Sequence, residues 1–256
     1  MPLLEAKGIT MRFGGLTAVD QVSFSVEQGQ VVSIIGPNGA GKTTIFNILT
    51  GIYPEHEGEV LFDGVRLNGK SPQEIVRLGI SRTFQNIRLF SDMRAVENVL
   101  VGAHTHTEYS LFDALFRSKR FLREEHKAKA RAVELLKEIS LSERTHDYAD
   151  SLPYGEQRRL EIARAIATGA RLILLDEPAA GMNPQESASL RQFILELKQQ
   201  GFTILLIEHD MKVVMNSSDY IHVIDYGKKI AEGTPSEILK NERVTKAYLG
   251  EGRANA

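Results

Sequence analysis

Short apolar runs alternate along this chain with polar loops and with stretches of helical composition. Residues 3–9 and 22–26 have the composition of strands, and the continuous apolar run at residues 31–35 predicts a buried parallel strand. Residues 42–49 follow a glycine-rich loop and predict a helix, and residues 59–62 predict another strand. The first part of the chain is therefore typical of a fold in which strands and helices alternate.

The second part of the chain continues this alternation after a long helical stretch. Residues 172–175 and 203–207 are short apolar runs, each joined to helical sequence by a polar loop. Together they predict a parallel sheet that helices cover on both faces. Residues 111–140 contain neither proline nor glycine and are rich in helix-forming residues, so they predict a helical subdomain inserted into the α/β core.

A glycine-rich loop joins the strand predicted at residues 31–35 to the helix predicted at residues 42–49. Its sequence matches the phosphate-loop pattern, which binds nucleotides when it lies between a strand and a helix. The glycines allow backbone amides to face the phosphates, the lysine reaches the β and γ oxygens, and the first threonine offers a hydroxyl to Mg²⁺. The predicted nucleotide-binding residues are Gly36, Pro37, Asn38, Gly39, Ala40, Gly41, Lys42, Thr43 and Thr44.

The apolar run at residues 172–175 ends in two adjacent carboxylates. Asp176 is placed to hold Mg²⁺ through water, and Glu177 is placed to polarise the water that attacks a γ-phosphate. Such a pair also caps the next helix in some proteins. The phosphate loop in the same chain favours the catalytic interpretation.

Composition narrows the classes of function. The chain of 256 residues has 31 basic and 33 acidic residues, so its net charge of −2 gives no reason to expect nucleic-acid binding. It has no cysteine, which excludes disulfides and thiolate metal sites and fits a cytoplasmic location. No run approaches the roughly 18 apolar residues that cross a bilayer, so we expect any role at a membrane to be exerted through partners.

Three further motifs give the chain a specific resemblance. Gln85 lies in Thr-Phe-Gln-Asn, residues 152–157 read Leu-Pro-Tyr-Gly-Glu-Gln, and His209 lies in Ile-Glu-His-Asp. With the phosphate loop and the carboxylate pair, in this order and spacing, they resemble the nucleotide-binding subunits of ATP-binding cassette (ABC) transporters. The resemblance covers nearly the whole chain and implies an ATPase that uses ATP and Mg²⁺.

The resemblance also implies a fold. We expect an α/β protein with a P-loop NTPase core of ABC type, a mostly parallel sheet with helices on both faces, an N-terminal antiparallel β subdomain and an inserted helical subdomain. Residues 1–256 are expected to form a single ABC ATPase domain. Its α/β core with the β subdomain is expected at residues 1–86 and 170–256, and the helical subdomain with the signature motif at residues 87–169.

The roles of individual residues follow from the family's motifs. Phe13 would stack on adenine, although a simple turn or core aromatic is the alternative for it. Gln85 would sense Mg²⁺ and the attacking water and touch a membrane subunit, and His209 would bridge the γ-phosphate to Glu177. The expected catalytic residues are Glu177, His209 and Gln85, and the expected metal-binding residues are Thr43, Gln85 and Asp176.

The signature motif of this family acts on the nucleotide held by the opposite chain, through a glycine amide and the N-terminus of the following helix. In this chain the motif comprises Leu152, Pro153, Tyr154, Gly155, Glu156 and Gln157. Pro153 replaces the usual serine, Tyr154 the first of two glycines, and Glu156 the usual glutamine. Because Gly155 and the helix remain, we expect the contact to survive with altered strength.

The loop after Glu177 is expected at the interface between two ATPase chains. It comprises Ala180, Gly181, Met182 and Asn183. The family usually has aspartate at the last position, so this chain keeps the hydrogen-bonding capacity there and loses the charge.

Several segments resemble the ATPase subunits of bacterial or archaeal importers of branched-chain amino acids, notably residues 11–16, 176–184 and 247–251. This resemblance implies transmembrane permease subunits and a second, identical or homologous ATPase chain as partners, and indirectly a substrate-binding protein. It places the chain on the inner face of the cell membrane and implies no nucleic-acid partner. The alternatives are a urea or amide importer, a lipopolysaccharide-export ATPase and a soluble ABC protein of translation or DNA repair.

The helical stretch contains a basic run at residues 117–131 that would suit lipid headgroups or an acidic partner. Glutamates lie among and just beyond these cations at pairing distances. We therefore interpret the run as a solvated helix face. The glutamates are Glu124, Glu125, Glu134 and Glu138.

Overall fold

The computed structural model describes residues 1–106 and 109–252. Its contacts divide the chain into two compact units. The α/β unit consists of Met1–Gln85 and Arg171–Ala256, and the helical unit consists of Asn86–Ala170. Both sheets of the protein lie in the α/β unit.

A four-stranded antiparallel sheet begins the α/β unit, with the strand order β2-β1-β4-β5. Alternate side chains of its strands are buried, which is the pattern of a sheet with one face on the core. This sheet confirms the antiparallel β subdomain expected near the N-terminus. Its strands are β1 Leu4–Phe13, β2 Leu16–Val26, β4 Glu57–Phe62 and β5 Val65–Arg66.

The second sheet has six strands in the order β10-β9-β3-β8-β7-β6. All of its pairings are parallel except that between β9 and β10. The mostly parallel sheet expected from the sequence is therefore confirmed. Its strands are β3 Val31–Ile35, β6 Ile80–Arg82, β7 Leu172–Asp176, β8 Thr203–Ile207, β9 Tyr220–Asp225 and β10 Lys228–Gly233.

Helices pack on both faces of this sheet. Ile34 of β3 belongs to the core cluster that also contains Phe46, whereas Ile35 belongs to the cluster of Val214 and Ile238. Adjacent residues of a strand point to opposite faces, so both faces are covered. The helices of this unit are α1 Lys42–Leu49, α2 Pro72–Leu78, α7 Pro184–Gln199, α8 Met211–Ser217, α9 Pro235–Leu239 and α10 Glu242–Gly252.

The helical unit contains α3 Ala95–Ala103, α4 Leu111–Leu115, α5 Lys119–Glu138 and α6 Tyr154–Ala167. The stretch predicted as helical at residues 111–140 is thus divided into α4 and α5. Arg117 has a φ of 46° at the break, and the side chain of Ser118 caps α5 by accepting a hydrogen bond from the Phe121 amide at 3.2 Å. Across residues 1–106 and 109–252, the helices are all too short or too polar to span a bilayer.

A buried histidine on β9 predicts a pH dependence of folding stability. The His222 ring packs against Phe24 and Tyr220, and its Nδ1 lies 3.1 Å from an oxygen of Glu232. Burial, and then the positive charge of Lys229, lowers the pKa of His222 to about 4. Its unfolded-state pKa is about 6.5, so the unfolded chain gains a proton first as the pH falls.

We expect the free energy of unfolding to fall by up to about 3 kcal/mol between pH 6.5 and pH 4 through this residue. Denaturant unfolding at several pH values checks this. His222→Phe should reduce the pH dependence of the unfolding free energy between pH 6.5 and pH 4. His146→Gln, a change at an exposed histidine, should leave that dependence unaltered. Equal slopes for His222→Phe and the unchanged protein would contradict the assignment.

Candidate functional site

The glycine-rich loop runs from the end of β3 at Ile35 to the start of α1 at Lys42. Gly36 has a φ of 155° and Gly41 a φ of 104°, in the region that favours glycine. A Cβ at Gly36 would overlap the Ile224 carbonyl oxygen, and a Cβ at Gly41 would overlap that of Ala18. The chain's own packing therefore requires glycine at both positions, and the turn aims the N-terminus of α1 into the loop.

Lys42 occupies the centre of this loop. Its side chain is buried, and its Nζ donates hydrogen bonds to the carbonyl oxygens of Gly36 at 2.7 Å and Pro37 at 2.8 Å. Asn38 and Gly39 at the tip of the loop are exposed, as is Thr43 at the start of the helix. The arrangement presents one cation and exposed polar groups in a single concave turn, which suits a polyphosphate. Ala40 is buried and Thr44 is half-buried in the same turn.

Asp176 ends β7 and is buried in an ion pair. Its carboxylate accepts a hydrogen bond from Arg82 Nη2 at 2.6 Å, and Arg82 Nη1 donates to the Asn47 side chain at 2.7 Å. Arg82 has no role that a sequence motif predicts. Only its place at the end of β6, which pairs with β7, brings it to Asp176.

Glu177 lies between the two other predicted catalytic residues. Gln85 Nε2 donates to Glu177 Oε2 at 3.0 Å, and His209 Nδ1 lies 3.4 Å from the same oxygen. Gln85 and His209 therefore share one carboxylate oxygen of Glu177, although the three residues are far apart in the sequence. They line a cleft of about 480 Å³ together with Gly36, Pro37, Asn38 and Tyr248.

The backbone holds Glu177 in an unusual conformation. Its φ is 45°, which a residue with a side chain seldom adopts, and its amide donates to the Ile207 carbonyl at 2.8 Å. Strain of this kind persists where the surroundings impose it, which is frequent at active sites. Here it directs the carboxylate into the cleft.

A buried glutamate connects the loop after Glu177 to the loop that carries His209. One oxygen of Glu208 accepts a hydrogen bond from the Ala179 amide at 2.7 Å, and the other accepts from the His209 amide at 3.1 Å. Burial raises the pKa of Glu208. Glu208 lies in the Ile-Glu-His-Asp motif, but its role could not be predicted from the sequence. Only the fold brings its carboxylate to the amides of both loops.

Tyr248 of α10 lines the cleft, although no sequence motif gave it a role. Its ring packs beside the cluster of Ile35, Ile238 and Val244, and its hydroxyl is shielded from solvent. Tyr248 thus joins the C-terminal helix to the cleft that holds Glu177. Its position within residues 247–251, a segment that resembles the importers of branched-chain amino acids, was the available signal.

Phe13 lies at the end of β1, where its ring is 41% exposed. It meets the Tyr53 ring edge-on, with the ring centroids 5.2 Å apart. A half-exposed ring suits stacking on a flat ligand. The role of Phe13 towards adenine stays a prediction.

The signature residues lie at the start of α6 in the helical unit. Pro153 is the N-cap of α6, which has no side-chain cap, and Gln157 Nε2 donates to the Leu152 carbonyl at 2.8 Å. Glu156 accepts a hydrogen bond from Arg144 Nε at 3.1 Å, and Tyr154 is partly exposed. A Cβ at Gly155 would meet no atom of the described residues within 4 Å. Packing within this chain therefore leaves room for a side chain at that position.

The predicted dimer loop leads from Glu177 into α7. Ala180, Gly181 and Met182 form a turn in which Gly181 has a φ of 78°. Asn183 caps α7, because its side-chain oxygen accepts from the Gln185 amide at 2.9 Å and the Glu186 amide at 3.0 Å. An amide oxygen fills this role as well as a carboxylate would.

The residues predicted to hold a metal offer only oxygen ligands, which Mg²⁺ prefers. Within the part of the chain that the structure describes, no three His, Cys, Asp or Glu side chains form a metal-binding group. Mg²⁺ commonly keeps few protein ligands and completes its shell with phosphate oxygens and water. The donor set of Thr43, Gln85 and Asp176 fits such a site.

Comparison with known protein families shows to which family the chain belongs. A family model described as "ABC transporter" matches residues 19–180, which include the loop around Lys42, Gln85, the signature and Glu177. The chain belongs to the ABC transporter family. A second model, described as "Branched-chain amino acid ATP-binding cassette transporter", matches residues 228–254 of this ABC chain.

Known relatives extend over nearly the whole length of this ABC protein. The high-affinity branched-chain amino acid transport ATP-binding protein BraF of Pseudomonas aeruginosa is 51% identical over 251 residues, which are 98% of each chain. A crystal structure of the ADP conformation of an ATP-binding cassette of an ABC transporter is 36% identical, with a TM-score of 0.85 over 98% of this chain and 99% of that chain.

A third relative was solved as a dimer in a post-hydrolysis state, bound to ADP and phosphate. It is 26% identical, with a TM-score of 0.73 over 91% of this chain and 98% of that chain. These comparisons confirm the expected ABC fold and its ATPase activity. The chain is an ABC transporter ATPase that uses ATP, as the sequence predicted.

Proposed function

We propose that this ABC ATPase powers an importer of branched-chain amino acids. The observation that carries the proposal is the 51% identity to BraF over 98% of both chains. The match of residues 228–254 to the branched-chain amino acid model supports the same branch from a segment outside the matched residues 19–180. The residues of the cleft would act on ATP, so the transported substrate would be selected by other subunits.

The nucleotide would bind at the glycine-rich loop. Backbone amides from Gly36 to Thr44 and the N-terminus of α1 would surround the phosphates, and Lys42 would leave its two carbonyl partners for the β and γ oxygens. Phe13 would stack on adenine. Thr43, Gln85 and Asp176 would hold Mg²⁺, which neutralises phosphate charge when it is bound.

Glu177 would act as the general base or water-orienting group of hydrolysis. One carboxylate oxygen of Glu177 accepts a hydrogen bond from Gln85 Nε2 and lies 3.4 Å from His209 Nδ1, so two polar side chains fix the position of Glu177. A water bonded to this carboxylate would be polarised for attack on the γ-phosphate. His209 would then contact the γ-phosphate, and Glu208 would keep the His209 loop in place.

Two ATPase chains would close head to tail around two nucleotides. The open space beside Gly155 supports this arrangement, because no packing contact among the described residues requires glycine there. The amide at Gly155 and the N-terminus of α6 would approach the γ-phosphate held by the other chain. Residues 180–183 would lie at the interface between the two chains.

Pro153→Ser tests the departure of the signature from the family pattern. Serine is a preferred N-cap and would supply a hydroxyl near the opposite γ-phosphate. We therefore expect the ATPase rate to be kept or increased, as measured by phosphate release. A loss of tenfold or more, about 1.4 kcal/mol on the barrier, would mean that proline itself shapes the loop.

We further propose that the chain lies on the cytoplasmic face of the cell membrane, attached to two permease subunits. The second ATPase would be an identical or homologous chain, and a substrate-binding protein would act through the permeases. Gln85, which donates a hydrogen bond to Glu177, would transmit contact with a permease to that carboxylate.

Transport by the assembled complex tests the substrate. The chain would be reconstituted in proteoliposomes with its permease subunits and its binding protein. ATP-dependent uptake of leucine, isoleucine or valine, absent with Glu177→Gln, is the expected result. Uptake of urea without uptake of these amino acids would contradict the proposed substrate and leave the ATPase assignment intact.

A further inference from the structure

An exposed apolar surface lies at the start of the helical stretch. Phe112, Leu115 and Phe116 are 74%, 74% and 75% exposed. Their spacing of three and four residues places them on one side of α4 and its C-cap, and we call these three residues the apolar face. Clustered apolar side chains of this kind commonly mark a surface that binds another molecule.

Local contacts hold α4 in place. Ser110 and Asp113 form a capping box at its N-terminus, and the Ser118 hydroxyl donates to Asp113 at 2.7 Å. The Tyr109 ring packs edge-on against Phe121 of α5, with the centroids 4.9 Å apart. The apolar face is therefore presented by a folded helix attached to α5.

Basic residues follow the apolar face directly. Residues 111–123 contain four cations and a single carboxylate, Asp113, whereas the whole chain has a net charge of −2. Arg117, Lys119 and Arg123 are exposed and form no ion pair with any described residue. The four cations are Arg117, Lys119, Arg120 and Arg123.

The rest of α5 differs from residues 117–123, because two of its cations form ion pairs with glutamates. Lys127 pairs with Glu124 at 3.3 Å, and Arg131 pairs with Glu134 at 2.8 Å. The interpretation of the basic run as a solvated helix face therefore holds beyond residue 123. It does not account for residues 117–123, where the positive charge is in excess and adjoins the apolar face.

We propose that the apolar face and the cations of residues 117–123 bind the surface of an anionic lipid bilayer. Two phenylalanines and a leucine enter the boundary between headgroups and acyl chains, and the arginine and lysine side chains contact the headgroup phosphates. Neither element suffices alone, because stable surface binding commonly needs an apolar anchor and a basic patch together. The excess of positive charge beside the apolar face selects anionic lipid over an uncharged protein groove.

Flotation of the purified full chain with vesicles tests the charge requirement. We expect binding to vesicles of equal parts phosphatidylcholine and phosphatidylglycerol, and little binding to phosphatidylcholine alone. Arg117→Gln, Lys119→Gln and Arg123→Gln combined should lower the partition coefficient roughly a hundredfold. Lys127→Gln, Lys129→Gln and Lys137→Gln combined remove the same amount of charge, from the later part of α5, and should leave most of the binding.

Fluorescence tests the apolar face. The chain has no tryptophan, so Phe116→Trp provides a single reporter. Its emission should shift to the blue with the mixed vesicles, whereas Tyr226→Trp, at an exposed position of the α/β unit, should show no shift. Phe112→Ser combined with Phe116→Ser should lower the partition coefficient at least about tenfold while the cations remain.

Three results would overturn the proposal. The first is equal loss of binding in the two triple-glutamine variants. The second is an unshifted Phe116→Trp emission on vesicles that carry the bound protein. The third is a blue shift of the Phe116→Trp emission that occurs only with permease subunits and is equal in vesicles of phosphatidylcholine alone. That result would assign the apolar face to a protein partner. Circular dichroism and the basal ATPase rate, both expected to be unchanged, verify that each variant is folded.

Discussion

Lys42→Ala is expected to abolish ATP hydrolysis and to weaken ATP binding. Lys42 is the cation at the centre of a loop whose other groups are neutral amides and hydroxyls, and it is already directed inward by the carbonyls of Gly36 and Pro37. Removal of one positioned donor from a site of this kind commonly costs a hundredfold or more, roughly 3 kcal/mol. Phosphate release and nucleotide titration would measure the two effects.

A lysine outside the cleft provides the control for this change. Lys7 on β1 pairs with Glu5 at the surface, so Lys7→Ala should keep both nucleotide affinity and turnover. Lys42→Ala removes the lysine donor from the carbonyl oxygens of Gly36 and Pro37, of which the Pro37 oxygen keeps the Ala40 amide at 3.2 Å. The loss at Gly36 itself costs about 1–3 kcal/mol of stability. A thermal melt must therefore show that the variant is folded. Near-normal turnover in folded Lys42→Ala would remove the phosphate loop from the account.

Glu177→Gln is expected to keep ATP binding and to lose hydrolysis. The amide preserves the shape and one acceptor oxygen for Gln85, but it cannot polarise the attacking water as a carboxylate does. General-base catalysis contributes about 10²–10⁴-fold, so turnover should fall by at least a hundredfold. Single-turnover assays with bound ATP would separate this loss of chemistry from any loss of affinity.

The matched control for Glu177→Gln is the same change at a surface carboxylate. Glu196 lies on α7 of the same unit and contacts Gln192, outside the cleft. Glu196→Gln should hydrolyse ATP at the original rate. If Glu177→Gln also did so, alone and with a second ATPase chain, Glu177 would have no part in the mechanism and His209 would be the residue to test.

The parts of the site that are local in sequence could be predicted without a structure. The turn from β3 to α1 depends on Gly36 and Gly41 and on the apolar strand before them, and all of these are visible in one short segment. The end of β7 at Asp176 was visible in the same way. For such segments, local sequence and final structure agree because few distant contacts determine them.

The parts that depend on strand order could not be predicted. Arg82 reaches Asp176 because β6 and β7 are neighbours in the sheet, and sequence alone does not give that pairing. Tyr248 enters the cleft because α10 packs beside Ile35 of β3. Both contacts join residues far apart in the chain, so no local pattern of hydrophobic and polar residues contains them.

The division of the helical stretch shows a limit of composition. Residues 111–140 have helix-forming residues throughout, yet the chain breaks at Arg117 because Ser118 caps a new helix and bonds to Asp113. Serine competes well with continued helix at such positions. This break shortens α4 and leaves Phe112 and Phe116 in solvent, and composition alone predicts neither outcome.

ATP should close two chains around two composite sites, and the molar mass of Glu177→Gln in solution shows whether it does. Gel filtration with light scattering would be run with ATP and then with ADP, alone and with a second, homologous ATPase chain. We expect a two-chain species with ATP and mostly single chains with ADP, because Gly155 has no γ-phosphate to contact in the ADP state. Single chains with ATP under both conditions, or equal dimer with ATP and ADP, would contradict the account.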